Sequence, residues 1–88
     1  MTKKVDFRKL MLKDIEGHEV PTDISKPLGN MMYMQGLNID ECELGRDIYH
    51  KGEVELKEKD MEVVKRFANN FSFIMRQAVL AAVGETNQ

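Results

Sequence analysis

The chain is predicted to adopt an α+β fold: an N-terminal β-hairpin packed on two short helices and one long C-terminal helix. Three observations carry this. Apolar and β-prone residues run from Val5 to Leu12 and return from Val20 to Ile24 around a turn sequence. Two short helical patterns follow within residues 25–52. From residue 57 to residue 84, apolar residues recur at alternating spacings of 3 and 4, the period of one helical stripe. At 88 residues the chain is read as one small domain, with residues 85–88 as a tail.

The hairpin, residues 5–24, turns on Asp14-Ile15-Glu16-Gly17. Asp opening a type I turn and Gly closing it in the left-handed region make a common three-residue loop. That loop sets Leu12 opposite Val20 and Leu10 opposite Thr22, with Lys13 facing Glu19 and Lys9 facing Asp23 on the other side. Opposite charges across one face and apolar pairs on the other suit a half-buried hairpin. Pro21 lacks an amide hydrogen and belongs on an edge. Leu10, Leu12, Val20 and Ile24 are expected to pack on helices, because two strands alone are marginal. Glu53-Val54-Glu55-Leu56 alternates and is a candidate short third strand.

Of the two middle helices, the first is expected to be capped by Ser25 and to carry Pro27 in its opening turn, where the missing amide costs little. Leu28, Met31, Met32 and Gln35 share one face, Gly29 weakens the helix and Gly36 ends it. The second is expected to open with a capping box of Asp40 and Glu43, with Ile39 stapled against Leu44. Leu44, Ile48 and Tyr49 point inward and Gly52 stops it.

In the last helix Met61, Val64, Ala68, Phe71, Met75, Ala78 and Ala82 form an a/d stripe. An unbroken helix here spans roughly 40 Å. Its first half is amphipathic, with Lys59, Glu62, Lys65 and Arg66 outward. Its second half is apolar on more than one face, since Phe67, Ile74 and Ala81 form a second row and Phe73, Leu80 and Val83 lie off both. So much apolar surface calls for either a central position or a second chain. The expected contact is a homodimer through Phe73, Ile74, Gln77, Leu80 and Ala81, which a charge at Leu80 dissociates.

Composition argues against several function classes. The chain has 13 basic and 15 acidic residues, a net charge of −2, so no overall positive excess awaits a phosphate backbone. The would-be recognition helix of a helix-turn-helix opens with Glu41 and Glu43, the wrong sign for DNA or RNA. The basic start at Met1-Thr2-Lys3-Lys4 is followed by no apolar leader, and no apolar run spans a bilayer. A single cysteine, Cys42, suits a reducing cytoplasm.

Site chemistry is sparse. His18, His50, Cys42 and Asp47 lack zinc-ligand spacing. Cys42 and His50 lie two turns apart on one helix, too far for a thiol–imidazole pair. Asp40, Glu41, Glu43, Glu53 and Glu55 are explained by capping and solvation, and Gly17, Gly29 and Gly36 match no phosphate loop. The cluster Met31, Met32 and Met34 beside Tyr33 suits either core filling or adaptable binding. No catalytic residue, metal or cofactor is predicted.

The stretch from Asp47 to Leu56, followed by a helix opening with Glu58, Asp60 and Val63-Val64, resembles small proteins encoded by phages, prophages and other mobile elements, as does the hairpin from Asp6 to Val20. The resemblance implies a cytosolic, non-enzymatic accessory protein in particle assembly or host takeover. Together these readings predict a cytoplasmic protein-interaction or assembly module that contacts itself and other proteins. The alternatives are a small nucleic-acid-binding regulator and a ligand binder or enzyme with a pocket near Tyr33, Cys42 and Tyr49.

Overall fold

The computed structural model describes residues 2–84, so the tail Glu85-Thr86-Asn87-Gln88 lies outside the described residues. Strands β1 (Lys3–Asp6), β2 (Leu10–Lys13) and β3 (Glu19–Thr22) precede helices α1 (Ser25–Gln35) and α2 (Ile39–Lys51). Strand β4 (Glu53–Leu56) and helices α3 (Glu58–Ala68) and α4 (Phe73–Ala82) complete the order. Both strands and helices are present, as an α+β fold requires.

The hairpin of β2 and β3 has the expected register, with Leu10 opposite Thr22, Leu12 opposite Val20 and Lys13 opposite Glu19. Its turn is held by Asp14, whose Oδ1 accepts from the amides of Glu16 at 3.0 Å and His18 at 2.9 Å. Gly17 takes φ +88°, a conformation disfavoured for side chains with a Cβ.

The run from Val5 to Leu12 is not one strand. Asp6 breaks it by accepting from the amide and Nε of Arg8, both at 3.0 Å, while the amide of Lys9 donates to the Asp6 carbonyl at 3.2 Å. An aspartate holding its own turn competes with the ladder. Lys9 therefore sits in the bend, and the expected Lys9–Asp23 pair is not part of the ladder. The chain before the bend becomes β1 and pairs antiparallel with β4, Val5 opposite Val54. The candidate third strand is thus real, but it forms a second sheet instead of extending the hairpin.

Phe7, in the bend, joins the two sheets. Its amide donates to the Gly52 carbonyl at 2.8 Å and its carbonyl accepts from the Ile24 amide at 2.9 Å. Its ring is fully buried with Val5, Leu10, Ile24, Leu28, Met32, Ile48, Leu56, Val64 and Val79. Val20 is 45% exposed and does not pack on a helix.

Helices α1 and α2 cross closely at two glycines. A Cβ on Gly29 would lie 2.6 Å from the Gly45 carbonyl oxygen, and one on Gly45 would lie 2.7 Å from that of Gly29. Gly29 therefore weakens α1 in isolation but permits the crossing. The methionine cluster divides: Met32 is core, Met31 half-buried and Met34 exposed.

Both caps differ from expectation. Ser25 is already helical, and Asp23 accepts from its amide at 2.9 Å and its hydroxyl at 2.7 Å. Helix α2 is capped by Asn38, whose Oδ1 accepts from the Glu41 amide at 3.0 Å. Glu41 reaches back to the Leu37 amide at 2.9 Å. The reciprocal arrangement predicted for Asp40 and Glu43 thus sits two residues earlier, and Ile39 is exposed instead of stapled. Gly52 ends α2 as expected, its amide donating to the Ile48 carbonyl at 3.0 Å. Replacing Asn38 with alanine is expected to cost about 1 kcal/mol, and Asp40→Ala only a few tenths. Denaturant midpoints of the two variants at unchanged slope check the order.

The long helix is also corrected: it is two helices, broken at Asn69-Asn70-Phe71-Ser72. Asparagine is a poor helix interior residue, and the Asn70 side-chain amide donates to the Phe67 carbonyl at 3.3 Å. Ser72 then caps α4, its hydroxyl accepting from the Met75 amide at 3.3 Å. The break lets α4 turn a face shifted from the predicted stripe, whose Met75 and Ala82 stay only partly buried, into the same core as α3. Val64, Phe67 and Ala68 of α3 and Val79 and Val83 at the far end are all buried in it. A straight helix would carry its second half past the core.

Candidate functional site

Helix α3 and helix α4 present different surfaces. The outward positions of α3 include Glu58, Lys59, Glu62 and Arg66. The outward positions of α4 are Phe73, Ile74, Gln77 and Ala81, with Leu80 half-exposed at one rim. Phe73 is 61% exposed and Ile74 47%. Four of the five residues singled out from sequence are therefore on the surface, and the fifth borders it. They share an arc of α4, because Ile74, Ala78 and Ala81 lie in one row and Phe73, Gln77 and Leu80 in the next.

No acid or base stands on that arc. The one charged residue of α4, Arg76, is half-buried. Its guanidinium lies 5.5 Å from the Phe73 ring centre and donates to Asn69 Oδ1 at 3.5 Å. Beside the arc runs a shallow apolar groove of about 350 Å³, where the small side chains of Ala78, Ala81 and Ala82 face Val5, Leu10 and Met11. Met11 is half-exposed at its edge, with Asp6 and Lys9 at the rim.

A second concavity lies across α1 and α2. Gly29, Asn30 and Tyr33 from α1 meet Arg46, Tyr49 and His50 from α2 around a cleft of about 270 Å³. Lys26 Nζ stands 4.9 Å from the Tyr49 ring centre, and the His50 ring meets Tyr49 edge-on at 5.2 Å. Tyr33 and Tyr49, expected beside one pocket, do line this cleft. Tyr49 does so from a partly exposed position, not an inward one. Cys42 is outside it: its thiol donates to the Tyr33 backbone carbonyl at 3.3 Å. Sequence reasoning missed Asn30 and Arg46. The available signal was spacing, since 29, 30 and 33 share one face of α1, and 46, 49 and 50 one face of α2.

The remaining chemical candidates are dispersed. His18 lies near Asp14 and Glu16 at the hairpin tip, but no group of three or more His, Cys, Asp or Glu side chains among the described residues is placed to hold a metal ion. Glu41 is the buried acid, paired with Arg66 of α3. That ion pair and the Leu37 amide hold its carboxyl below the usual glutamate value of 4.5. Arg8 beside Asp6, and Ser25 beside Asp23, lower those two carboxyls likewise.

A carboxyl whose folded pKa is depressed stabilises the fold above its unfolded pKa. That contribution is lost as pH falls through the folded value. Stability is therefore expected to be flat in mild acid and to fall below about pH 4.5. A Glu41→Gln variant should be less stable at neutral pH by about 1–3 kcal/mol. It should also show a shallower acid slope. Denaturation midpoints measured against pH check both.

No helix of the described residues is long and apolar enough to cross a membrane. No protein-family model, no curated protein and no solved structure matches the chain.

Proposed function

We propose that the protein is a non-enzymatic interaction module that self-associates through the outer face of α4. The observation that carries this is the contrast between the charged outer face of α3 and the uncharged, apolar arc of α4. The occupant best suited to the arc is a second copy, because knob and groove lie on the same surface. Ile74 protrudes near the start of α4, and the alanine-lined groove opens one to two turns further on. Two α4 helices placed antiparallel across a two-fold axis set each Ile74 into the other's groove, as a self-complementary contact requires. Phe73 of each copy then covers the Gln77–Ala81 side of the other.

Each half-exposed Phe73 and Ile74 contributes about 1–2 kcal/mol on burial. Association costs several kcal/mol in lost freedom, comparable to what those four side chains supply, so the dimer is expected to be weak, with Kd in the high-micromolar to millimolar range. Other proteins bearing an apolar helix would compete for the same face. The resemblance to phage and mobile-element proteins fits a cytoplasmic accessory role in assembly. The exposed carboxylates Asp40 and Glu43 at the start of α2 disfavour nucleic acid there. Sedimentation equilibrium over a concentration series tests the proposal. The apparent mass should rise from 10.2 kDa towards twice that. A strict monomer up to about 1 mM would sink it.

A further inference from the structure

We infer that the cleft between α1 and α2 binds a small anion carrying one planar ring, with Arg46 on the anion and Tyr33 and Tyr49 against the ring. The inference is independent of the α4 contact and rests on three features of the cleft.

The first is charge. The chain has 15 acidic residues and a net charge of −2, yet no acid lines the cleft. Arg46 and His50 line it, and Lys26 stands at its edge over Tyr49. A concave, locally basic wall on an acidic protein concentrates anions where the rest of the surface repels them.

The second is the state of Arg46. Arg8 is bonded to Asp6, Arg66 to Glu41 and Arg76 to Asn69. Among the described residues, Arg46 alone of the arginines has no hydrogen bond or ion pair. Its planar fork of donors is free for a carboxylate or phosphate, which it matches in a bidentate manner.

The third is shape. Gly29 contributes no side chain, so backbone forms the floor where the two helices touch, and the tyrosines stand at the walls. At about 270 Å³ the cleft is just below the range usual for drug-sized ligands, so one ring and one anionic group suit it and an extended polymer does not. Asn30 adds a donor and an acceptor at the rim. An aryl phosphate and a pyrimidine nucleotide share this chemistry.

The chain has 2 tyrosines and no tryptophan, and both tyrosines line the cleft. Isotope-labelled tyrosine rings therefore report on it without assignment ambiguity. Full-length protein would be titrated with phenyl phosphate, uridine monophosphate, uridine and inorganic phosphate, observed by aromatic NMR correlation spectra. The expected result is a saturable shift of both rings with the two ring phosphates, at least tenfold stronger than with uridine or inorganic phosphate. The tighter of the two ring phosphates identifies the source of the ring. Arg46→Ala should weaken binding about tenfold with an otherwise unchanged amide spectrum, and Arg46→Lys should retain part of it. Arg46→Gln serves if the alanine variant does not fold. Equal response to inorganic phosphate or to uridine, an unchanged affinity in Arg46→Ala, or no saturable shift up to about 10 mM would each overturn the inference. Repeating the titration on an Ile74→Glu background separates it from any change in self-association.

Discussion

A Gly45→Ala variant is expected to lose about 2–4 kcal/mol of stability, against the sign that helix propensity alone predicts. In an isolated helix, alanine is better than glycine by about 1 kcal/mol. At Gly45 the added carbon would meet the Gly29 carbonyl oxygen at 2.7 Å, Met32 Cβ at 2.7 Å and the Tyr33 amide nitrogen at 2.8 Å. Two of those three atoms are backbone and cannot rotate away. The helices must separate, and separation loosens Leu28, Met32 and Ile48, all fully buried at this junction. Gly29→Ala meets the same obstacle from the other side, with the Gly45 carbonyl at 2.6 Å and the Tyr49 amide nitrogen at 2.7 Å.

The two changes should not add. Once one methyl has parted the helices, the second finds part of its space already made, so the double variant should be more stable than the sum of the singles predicts. Denaturant unfolding of the four species measures the coupling. If Gly45→Ala is as stable as the parent or more so, the close crossing is wrong. The α1–α2 cleft would then lose its backbone floor along with it.

What was legible in the sequence was local. The hairpin register followed from one four-residue turn, because Asp14 and Gly17 fix the loop geometry before any tertiary contact forms. The C-terminal stop of α2 followed from Gly52 for the same reason. The misses were decided elsewhere. Residues 3–6 pair with residues 53–56, a partnership set by long-range packing around Phe7, which no local pattern marks. The cap of α2 moved to Asn38 because Glu41, not Glu43, is the acid that Arg66 holds against the helix start.

The break between α3 and α4 was written in Asn69-Asn70 and Ser72. It was masked because the apolar spacing runs on unchanged across it. The spacing serves two helices because each meets the core separately, α4 chiefly through Val79 and Val83 beside the stripe. The exposure of Phe73, Ile74, Gln77 and Ala81 follows from the sequence, since an apolar helix in so short a chain exceeds what the remaining elements cover, but Val83, expected off the core rows, is buried. The α1–α2 cleft was half seen. The tyrosines stand out in the sequence, but the unpaired state of Arg46 appears only in the structure, beside the partnered Arg8, Arg66 and Arg76.

An Ile74→Glu variant is expected to abolish self-association, raising Kd at least a hundredfold, while leaving the monomer intact. In the proposed antiparallel arrangement each Ile74 is buried in the opposite groove, so the change places two carboxylates per dimer against Leu10, Met11 and alanines, with Lys9 only at the rim. In the monomer Ile74 is 47% exposed, so stability at low concentration should fall by about 1 kcal/mol, which leaves the fold intact. Leu80 is the poorer probe despite its place in the row. It is half-buried beside Glu62, Val63 and Arg66, and a charge there would also disturb the junction with α3.

A loss of association on adding charge is weak evidence taken alone, because any sticky surface would give it. The two-fold geometry makes a stronger prediction. In the proposed arrangement Ile74 of one copy would face Ala81 of the other, so Ala81→Lys should also dissociate, as the lysine meets an isoleucine. Mixing the Ile74→Glu and Ala81→Lys proteins then creates one Glu–Lys contact and one native Ile–Ala contact. Heterodimers should therefore form where neither variant associates with itself. Sedimentation of each variant and of the equimolar mixture distinguishes the cases. Monomers throughout the mixture would reject the antiparallel contact, and a native-like Kd for Ile74→Glu would remove α4 as the interface.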